Sequence, residues 1–211
     1  MWARRSVWPS WTSIWRSLAA TESAFPPYPQ AMSAAPEANP EEAALVRKAR
    51  GGDHAAFAQL YQAHAKAVHA LAFRLTGNAA AAEDITQDTF LKMLGFLSGL
   101  RSDAPLRPWL KRVAANAAID RLRRERRFSP QQDDDAWPDD SADAADNLEL
   151  LGMMRRLPPL VRTVVWLHEM EGWSHPELAK RFGRSQSWSK SIVARALTKL
   201  RDDLETGVGN D

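Results

Sequence analysis

The sequence predicts an all-α fold, with two small helical domains joined by a flexible acidic linker. Apolar residues recur at helical spacing through two stretches, 41–128 and 148–205, and a glycine or a proline stands where most of the predicted helices end. Between them, 129–147 holds seven aspartates and no lysine or arginine, so it cannot bury enough apolar surface to order itself. We expect disordered ends at 1–40 and 206–211.

Composition excludes several classes of protein. The formal net charge of the 211 residues is only +2, so any affinity for nucleic acid must come from segregated charge. The absence of cysteine excludes disulfides, cysteine-zinc sites and thiol nucleophiles, and it fits a reducing cytoplasm. No apolar run is long enough to span a bilayer. We therefore expect a cytoplasmic protein without stable membrane insertion.

The first segment differs from the rest of the chain. Residues 1–31 hold four of the nine tryptophans. Arg4 and Arg5 resemble the start of a signal peptide, but no continuous apolar core follows them. An interfacial amphipathic anchor is an alternative. We expect Met32 to be the working start, with the preceding residues coming from upstream sequence, and no fold before about Pro40.

The stretch around which the chain is organised is a predicted helix from Trp109 to Arg127, preceded by Pro108. One face is an apolar stripe for burial, formed by Leu110, Val113, Ala114, Ala117, Ala118 and Leu122. A different face carries Trp109, Arg112, Asn116, Arg123 and Arg127. The arginines would neutralise phosphates, while Asn116 and Trp109 could offer a hydrogen-bonding edge and a stacking surface to an unpaired base. The alternative is a solvated charged face with Trp109 buried.

Three helices are predicted before this one: 41–50, a second capped by Asp53, and a third over 79–97. The third helix has an outer arc that combines acidic and apolar character, formed by Asp84, Gln87, Asp88 and Leu91 with Lys92. A leucine among acids suggests a protein-binding surface. Three histidines of the second helix, His54, His64 and His69, lack carboxylates at ligand spacing, so packing or surface roles are favoured over a metal site.

Beyond the linker, helices are predicted at 148–157 and 160–170. Ser174 and Glu177 then form a capping box for a short helix, and Gly183 turns the chain into a final helix over 185–204. Two helices joined by a tight glycine turn indicate a helix-turn-helix. Its second helix would present Ser185, Ser187, Trp188, Lys190, Ser191 and Arg195 to the major groove. An ordinary helical hairpin is the alternative.

Taken together, these motifs resemble the bacterial sigma factors of the extracytoplasmic-function class, which retain only the second and fourth conserved regions. The resemblance spans most of 55–201. The carrying motifs are Ala56-Phe57 to Tyr61, Arg74-Leu-Thr-Gly-Asn78, Ala82-Glu-Asp-Ile-Thr-Gln-Asp-Thr-Phe90, Trp109-Leu110 with Ala114-Ala-Asn116 and Ile119-Asp120, Leu157-Pro158, Glu171-Gly172 and Glu177-Leu-Ala179.

The resemblance implies a role for each part of the chain. Core RNA polymerase would bind the surface with Asp84, Gln87, Asp88 and Leu91. The basic helix with Trp109, Arg112, Asn116, Arg123 and Arg127 would melt and read the minus-ten element. The linker would thread toward the active centre. Its composition alone leaves two other roles open: it could keep the two domains apart, or it could imitate a polyanion. The final helix would read the minus-thirty-five element.

The implied partners are core RNA polymerase and promoter DNA, with an anti-sigma factor as a further candidate. The resemblance implies no cofactor, no small-molecule substrate and no catalysis, and the sequence shows no nucleophile-base pair, phosphate loop or metal cluster. One departure concerns the recognition helix, where Ser187-Trp-Ser-Lys-Ser-Ile192 replaces the usual Gly-Thr-Val-Lys-Ser-Arg and leaves the bases read undetermined. A helix-turn-helix regulator that does not bind polymerase is the alternative, but it leaves the Asp84 surface and the acidic linker without a purpose.

Overall fold

The computed structural model describes residues 39–100, 104–128 and 150–208, and over these residues the predicted all-α fold is confirmed. The expected linker, most of the N-terminal extension and residues 209–211 lie outside the described residues. The described part contains no strand and has eight α-helices and one 3₁₀ turn. The helices are α1 Pro40–Arg50, α2 His54–Thr76, α3 Ala79–Gly95, α4 Leu106–Phe128, α5 Leu150–Arg156, α6 Pro159–Glu169, α7 His175–Phe182 and α8 Gln186–Val208, with the 3₁₀ turn at Leu97–Gly99.

The chain divides into two compact units. Of the described residues, the first unit takes 39–63 and 88–110, and the second takes 64–87 and 111–208. Helices α2, α3 and α4 each contribute residues to both units. The division does not follow the expected domain border at residue 128, and that border stays a prediction.

The first unit is organised by α1 and the turn that precedes α4. Asn39 caps α1, since its Oδ1 accepts a hydrogen bond from the backbone N–H of Glu41 at 3.0 Å. At the other end of α1, the Arg50 guanidinium donates to the carbonyl of Leu97 at 3.2 Å and also to the carbonyl of Leu100. The core of this unit includes Leu60, Phe90, Met93, Leu100, Leu106 and Trp109.

Two helix ends of this unit differ from the predicted ones. Helix α3 ends at Gly95, two residues early, and the chain continues into the 3₁₀ turn. A Cβ atom on Gly99 would lie 2.5 Å from the Phe96 ring, so the close approach of chain and ring requires glycine. Helix α4 begins at Leu106, three residues early, which places Pro108 in the first turn, where its missing N–H breaks no helical bond.

In the second unit, α6 packs against the C-terminal end of α2. The Thr163 hydroxyl is fully buried and lies 3.1 Å from the Leu75 carbonyl oxygen. Gly77, which follows α2, has φ +69°, a left-handed conformation that favours glycine. The guanidinium of Arg162, a residue only 6% exposed, packs against it. Burial lowers the pKa of Arg162 from its usual value, and nearby Arg155 lowers it further.

The apolar stripe of α4 is confirmed at most positions, since Leu110, Val113, Ala114, Ala118 and Leu122 are buried. Ala117 is half-buried, and Ala115 and Ile119 are buried instead. The buried arc is therefore wider than the sequence predicts.

The predicted helix-turn-helix is present. Ser174 and Glu177 form the expected capping box at the start of α7, and Gly183 ends α7 with φ +67°, a left-handed conformation that favours glycine. Helices α6 and α7 pack against α8. Ala179 is 5% exposed, as expected for the residue where two helices cross closely. Helix α8 continues through Val208, beyond the predicted end near residue 204.

Candidate nucleic-acid interface

The sequence predicts that Trp109 offers a stacking surface to a base, which requires an exposed ring. In the structure this ring is buried. Its side chain is 1% exposed, and it stacks on Phe96 with ring centroids 6.0 Å apart and an interplanar angle of 10°. Leu106 and Leu110, on the same helix, are also buried. The alternative interpretation, a tryptophan buried beneath a charged face, describes this position. The aromatic ring anchors the N-terminal part of α4.

Lys111 and Arg112 form ion pairs with acids near α7. Lys111 Nζ lies 2.8 Å from both carboxylate oxygens of Glu171. Arg112 donates to Glu177 Oε1 at 2.7 Å, and its guanidinium lies 4.1 Å from the centroid of the Trp173 ring. Arg112, one of the arginines predicted to neutralise phosphates, is thus paired with a carboxylate, and so is its neighbour Lys111.

Asn116 and Asp120 are bound by one guanidinium, that of Arg181 on α7. Arg181 Nε donates to Asn116 Oδ1 at 2.7 Å. Arg181 Nη2 donates to the Asn116 carbonyl at 2.9 Å and to Asp120 Oδ2 at 2.6 Å. In this structure Arg181 therefore takes one of the two acceptor positions of Asn116 Oδ1.

The C-terminal half of α4 is more open. Arg123 is exposed. Its contact with the Arg181 carbonyl is long, with 3.5 Å between Arg123 Nη1 and the carbonyl oxygen. Arg124 is also exposed. Arg127 belongs to α4, but its side chain lies outside the described ones. The structure brings Arg112, Asn116 and Arg123 onto one face of α4, as predicted, and removes Trp109 from it.

The acidic face of α3 agrees with the expected arc. Asp84, Gln87 and Asp88 are exposed, and Leu91 is half-buried. Asp84 Oδ2 lies 3.3 Å from Arg121 Nη1, and its side chain is 67% exposed, so the pairing leaves most of the carboxylate in solvent. The face is available to a partner, although Leu91 presents less apolar surface than expected.

Helix α8 and Ser185, the residue before it, expose most of the side chains predicted to face the major groove. Ser185, Ser187, Lys190, Ser191 and Arg195 are exposed, and so is Gln186, which the sequence analysis did not select. Ser185 Oγ accepts from the Trp188 N–H at 3.2 Å and so caps the helix.

Trp188 and Ser189 face inward to different degrees. Trp188 is half-buried, with its ring centroid 5.4 Å from that of Phe182. Ser189, which stands where the usual motif has valine, is fully buried. Its Oγ donates to the Gln186 carbonyl at 3.1 Å and lies 3.1 Å from His175 Nδ1.

Two groups near α7 have shifted pKa values. Burial alone would raise the pKa of Glu177, but hydrogen bonds from the Ser174 N–H and hydroxyl, together with the Arg112 guanidinium, lower it. The pKa of His175 is lowered, first by burial and then by His168 and Lys190, while Glu169 opposes the shift. Glu177 is therefore held as the carboxylate that Arg112 needs.

Neither a metal cluster nor a membrane span is found in the described ranges. Within them, no group of three or more histidine or acidic side chains could hold a metal ion. No helix of the described part is both long and apolar enough to cross a membrane.

Sequence reasoning missed Glu171 and Arg181 as partners of α4, and it identified Glu177 only as a cap. Their pairing joins residues about 60 positions apart, with separations of 60 for Lys111 and Glu171 and 65 for Asn116 and Arg181. No periodic pattern signals such pairs. The surplus of cations on α4 predicted contacts with phosphates, or a solvated face, and did not indicate these acids.

Comparison with known proteins gives two family matches in order along the chain. The model of Sigma-70 region 2 matches residues 60–128, and that of Sigma-70, region 4 matches residues 147–200. The ECF RNA polymerase sigma factor SigM of Mycobacterium tuberculosis (strain ATCC 25618 / H37Rv) is 32% identical over 172 residues, covering 79% of this chain and 88% of SigM. The RNA polymerase sigma factor CarQ of Myxococcus xanthus is 34% identical over 166 residues, covering 75% of this chain and 95% of CarQ.

Among solved structures, CnrH in complex with the cytosolic domain of CnrY matches with a TM-score of 0.47 and 26% sequence identity. That match covers 79% of this chain and 98% of CnrH.

Proposed function

The chain belongs to the extracytoplasmic-function sigma factors of RNA polymerase, and on that premise we propose which of its surfaces carry out each step of initiation. As a sigma factor it binds core RNA polymerase and directs promoter recognition, DNA melting and transcription initiation. The observation that carries this conclusion is the match to both regions, in order, within one chain. We propose 41–128 and 148–205 as the two functional domains, 129–147 as the tether between them, and the cytoplasm as their place of action.

The core-binding surface in this proposal is the outer face of α3. Asp84, Gln87, Asp88 and Leu91 follow one another at separations of three, one and three residues, so they share one side of the helix. The three polar members are exposed, and the half-buried leucine adds an apolar contact among them. A surface that combines two carboxylates with one apolar side chain suits a basic helical partner through complementary charge.

The minus-ten surface is the face of α4 with Arg112, Asn116, Arg123 and Arg127. Arginines bind phosphates by paired N–H donors, and the asparagine amide can pair with a base edge. Trp109 supports this face from below, since it is buried. We therefore assign it to positioning α4, because its ring cannot meet a base in this conformation.

The minus-thirty-five surface is the N-terminal half of α8. Ser185, Ser187, Lys190, Ser191 and Arg195 are exposed there, and we add Gln186, whose amide suits adenine. Trp188 packs on Phe182 and remains partly exposed, and we propose that its exposed part contacts DNA. The helix N-terminus also favours phosphate.

The partners are core RNA polymerase and promoter DNA. An anti-sigma factor is a further candidate partner in this proposal, and no surface is assigned to it. The alternative function, a helix-turn-helix regulator that acts without polymerase, leaves the α3 face unused. Binding to core polymerase separates the two.

The test uses the full chain and purified core RNA polymerase. Reversing two charges of the α3 face, with Asp84→Arg and Asp88→Arg together, should weaken core binding at least tenfold, because like charges across an interface are repelled. Glu83→Arg is the control, since Glu83 is exposed on the same helix but lies outside the proposed face. Circular dichroism checks that helicity is unchanged. Equal core affinity of the double variant and the control would show that the surface is misassigned.

A further inference from the structure

We propose that α7 and the turn before it act as a latch on α4, which covers the promoter-reading face until core polymerase or DNA displaces it. The latch consists of three contacts: Lys111 with Glu171, Arg112 with Glu177, and Asn116 and Asp120 with Arg181. This inference rests on the proposed role of α4 in reading the minus-ten element. It assigns to the first helix of the helix-turn-helix a second task, that of holding the other DNA-binding face closed.

The chemistry of the latch imitates that of a nucleic acid. The carboxylates of Glu171 and Glu177 accept from Lys111 and Arg112 as phosphate oxygens would. Trp173 lies 4.1 Å from the Arg112 guanidinium, so the cation is covered by an aromatic ring as well as neutralised. A phosphate cannot take the position of either acid while the latch is closed.

The contact at Asn116 is the most direct competition. Arg181 Nε donates to Asn116 Oδ1 at 2.7 Å, and the same guanidinium binds the Asn116 carbonyl and Asp120. A base that pairs with the amide must displace Arg181. Asp120 helps to hold Arg181. On a face that binds DNA, an unpaired carboxylate would repel the phosphates. The latch therefore gives a reason for this carboxylate.

The strength of the latch suits a contact that must open. The paired side chains are partly solvated, with Arg181 27% and Asp120 51% exposed. Arg112 and Glu177 are 26% and 34% exposed. Ion pairs of this kind contribute little each and are screened by salt. Together they hold α4 and α7 in contact, and a binding partner can separate them.

The consequence for DNA binding is quantitative. When only a fraction of molecules is competent to bind, the apparent dissociation constant rises by the inverse of that fraction. Removing the Arg181 side chain should raise the open fraction and tighten binding of minus-ten DNA by the free protein by about threefold to tenfold. Once core polymerase holds the protein open, the same substitution should have no effect on this binding.

The first experiment reports the latch without DNA. Because the chain has no cysteine, Arg124→Cys on α4 and Ala194→Cys on α8 give a pair of unique, exposed spin-label sites. Electron-electron double resonance on the full chain should give a narrow distance distribution. Adding Arg181→Ala should broaden it and add longer distances. Adding Lys180→Ala should leave it unchanged, since this neighbouring cation is exposed on α7 and removes the same charge. A distribution that is broad in the parent, or unaltered by Arg181→Ala, would overturn the latch.

The second experiment uses a fluorescein-labelled single-stranded oligonucleotide that carries the minus-ten non-template strand of a promoter the holoenzyme transcribes. Arg181→Ala should bind it about threefold to tenfold more tightly than the parent, with Lys180→Ala equal to the parent. With core polymerase added, all three should bind alike. Equal affinities of the free proteins would refute the latch. If instead the parent with core polymerase transcribes nothing, the proposed function fails, while the distance measurement still decides whether the latch exists.

Discussion

Replacing Asn116 by alanine separates the contact that this side chain makes in the structure from the base contact that we propose for it. In the free protein, the Asn116 amide accepts a hydrogen bond from Arg181. In the promoter complex, we propose that the same amide binds a base. The substitution removes the side-chain amide (Cγ, Oδ1 and Nδ2). The other two acceptors of Arg181, the backbone carbonyl of residue 116 and the Asp120 carboxylate, remain.

The expected loss of stability follows from these contacts. A hydrogen bond to a charged group contributes about 1.5–3 kcal/mol when well desolvated. Arg181 is 27% exposed, so water can replace the lost acceptor, and we expect about 1 kcal/mol. Alanine is a better helix former than asparagine and returns about 0.5 kcal/mol. The net loss is roughly 0.5 kcal/mol, which lowers the Tm by about 1–2 °C. From the sequence alone, which does not reveal Arg181, one would expect an unchanged or slightly raised stability, because alanine is the better helix former.

The assay measures thermal unfolding of the full chain and run-off transcription from single-base promoter variants on the same protein. Asn116→Ala should lose discrimination at one minus-ten position, equivalent to about 1–3 kcal/mol. Asn116→Asp is the matched control. It keeps the acceptor for Arg181, so its Tm should equal or exceed that of the parent, but its charge should repel DNA and reduce transcription at every promoter. A stable Asn116→Ala protein, or one with unchanged base preference, would refute the corresponding half of this reasoning.

Three further predictions concern other parts of the molecule. Arg123→Ala should weaken binding to all promoters alike and reduce the slope of log affinity against log salt by about one, as seen in a salt titration. Gly183→Ala should cost about 1–2 kcal/mol, because φ +67° strains a residue with a Cβ atom, and chemical denaturation would show it. The pKa of Glu177 is lowered from 4.5, so its stabilisation is present above about pH 4.5 and is lost as the pH falls through its folded value. Glu177→Gln should therefore reduce the fall in the free energy of unfolding at acid pH. If the fall is unchanged, other groups cause it.

Local signals predicted most of the fold. Asp53, Ser174 and Gly183 mark helix boundaries through short-range hydrogen bonds and backbone conformation, and the structure confirms all three. The apolar period of α4 predicted most of its buried side chains. The start of α4 was placed three residues late, because Pro108 was read as lying ahead of the helix, whereas it fits within the first turn.

Long-range contacts account for what the sequence did not reveal. From the sequence, Trp109 could either be buried or face DNA. Its packing on Phe96 shows that it is buried. Likewise, nothing near Asn116 in sequence indicates Arg181, which lies on another helix. Local patterns specify which residues share a face, and tertiary packing decides what that face meets.

The most direct test of the central claim is transcription in a defined system. Core RNA polymerase, which starts non-specifically by itself, is given genomic DNA fragments with and without the full chain, and the 5′ ends of the transcripts are mapped. A sigma factor should produce new transcripts that start at discrete positions and depend on the added chain. The Asp84→Arg, Asp88→Arg variant should greatly reduce them, and Glu83→Arg should not. If the full chain leaves the start sites the same as those of core polymerase alone, the account is contradicted.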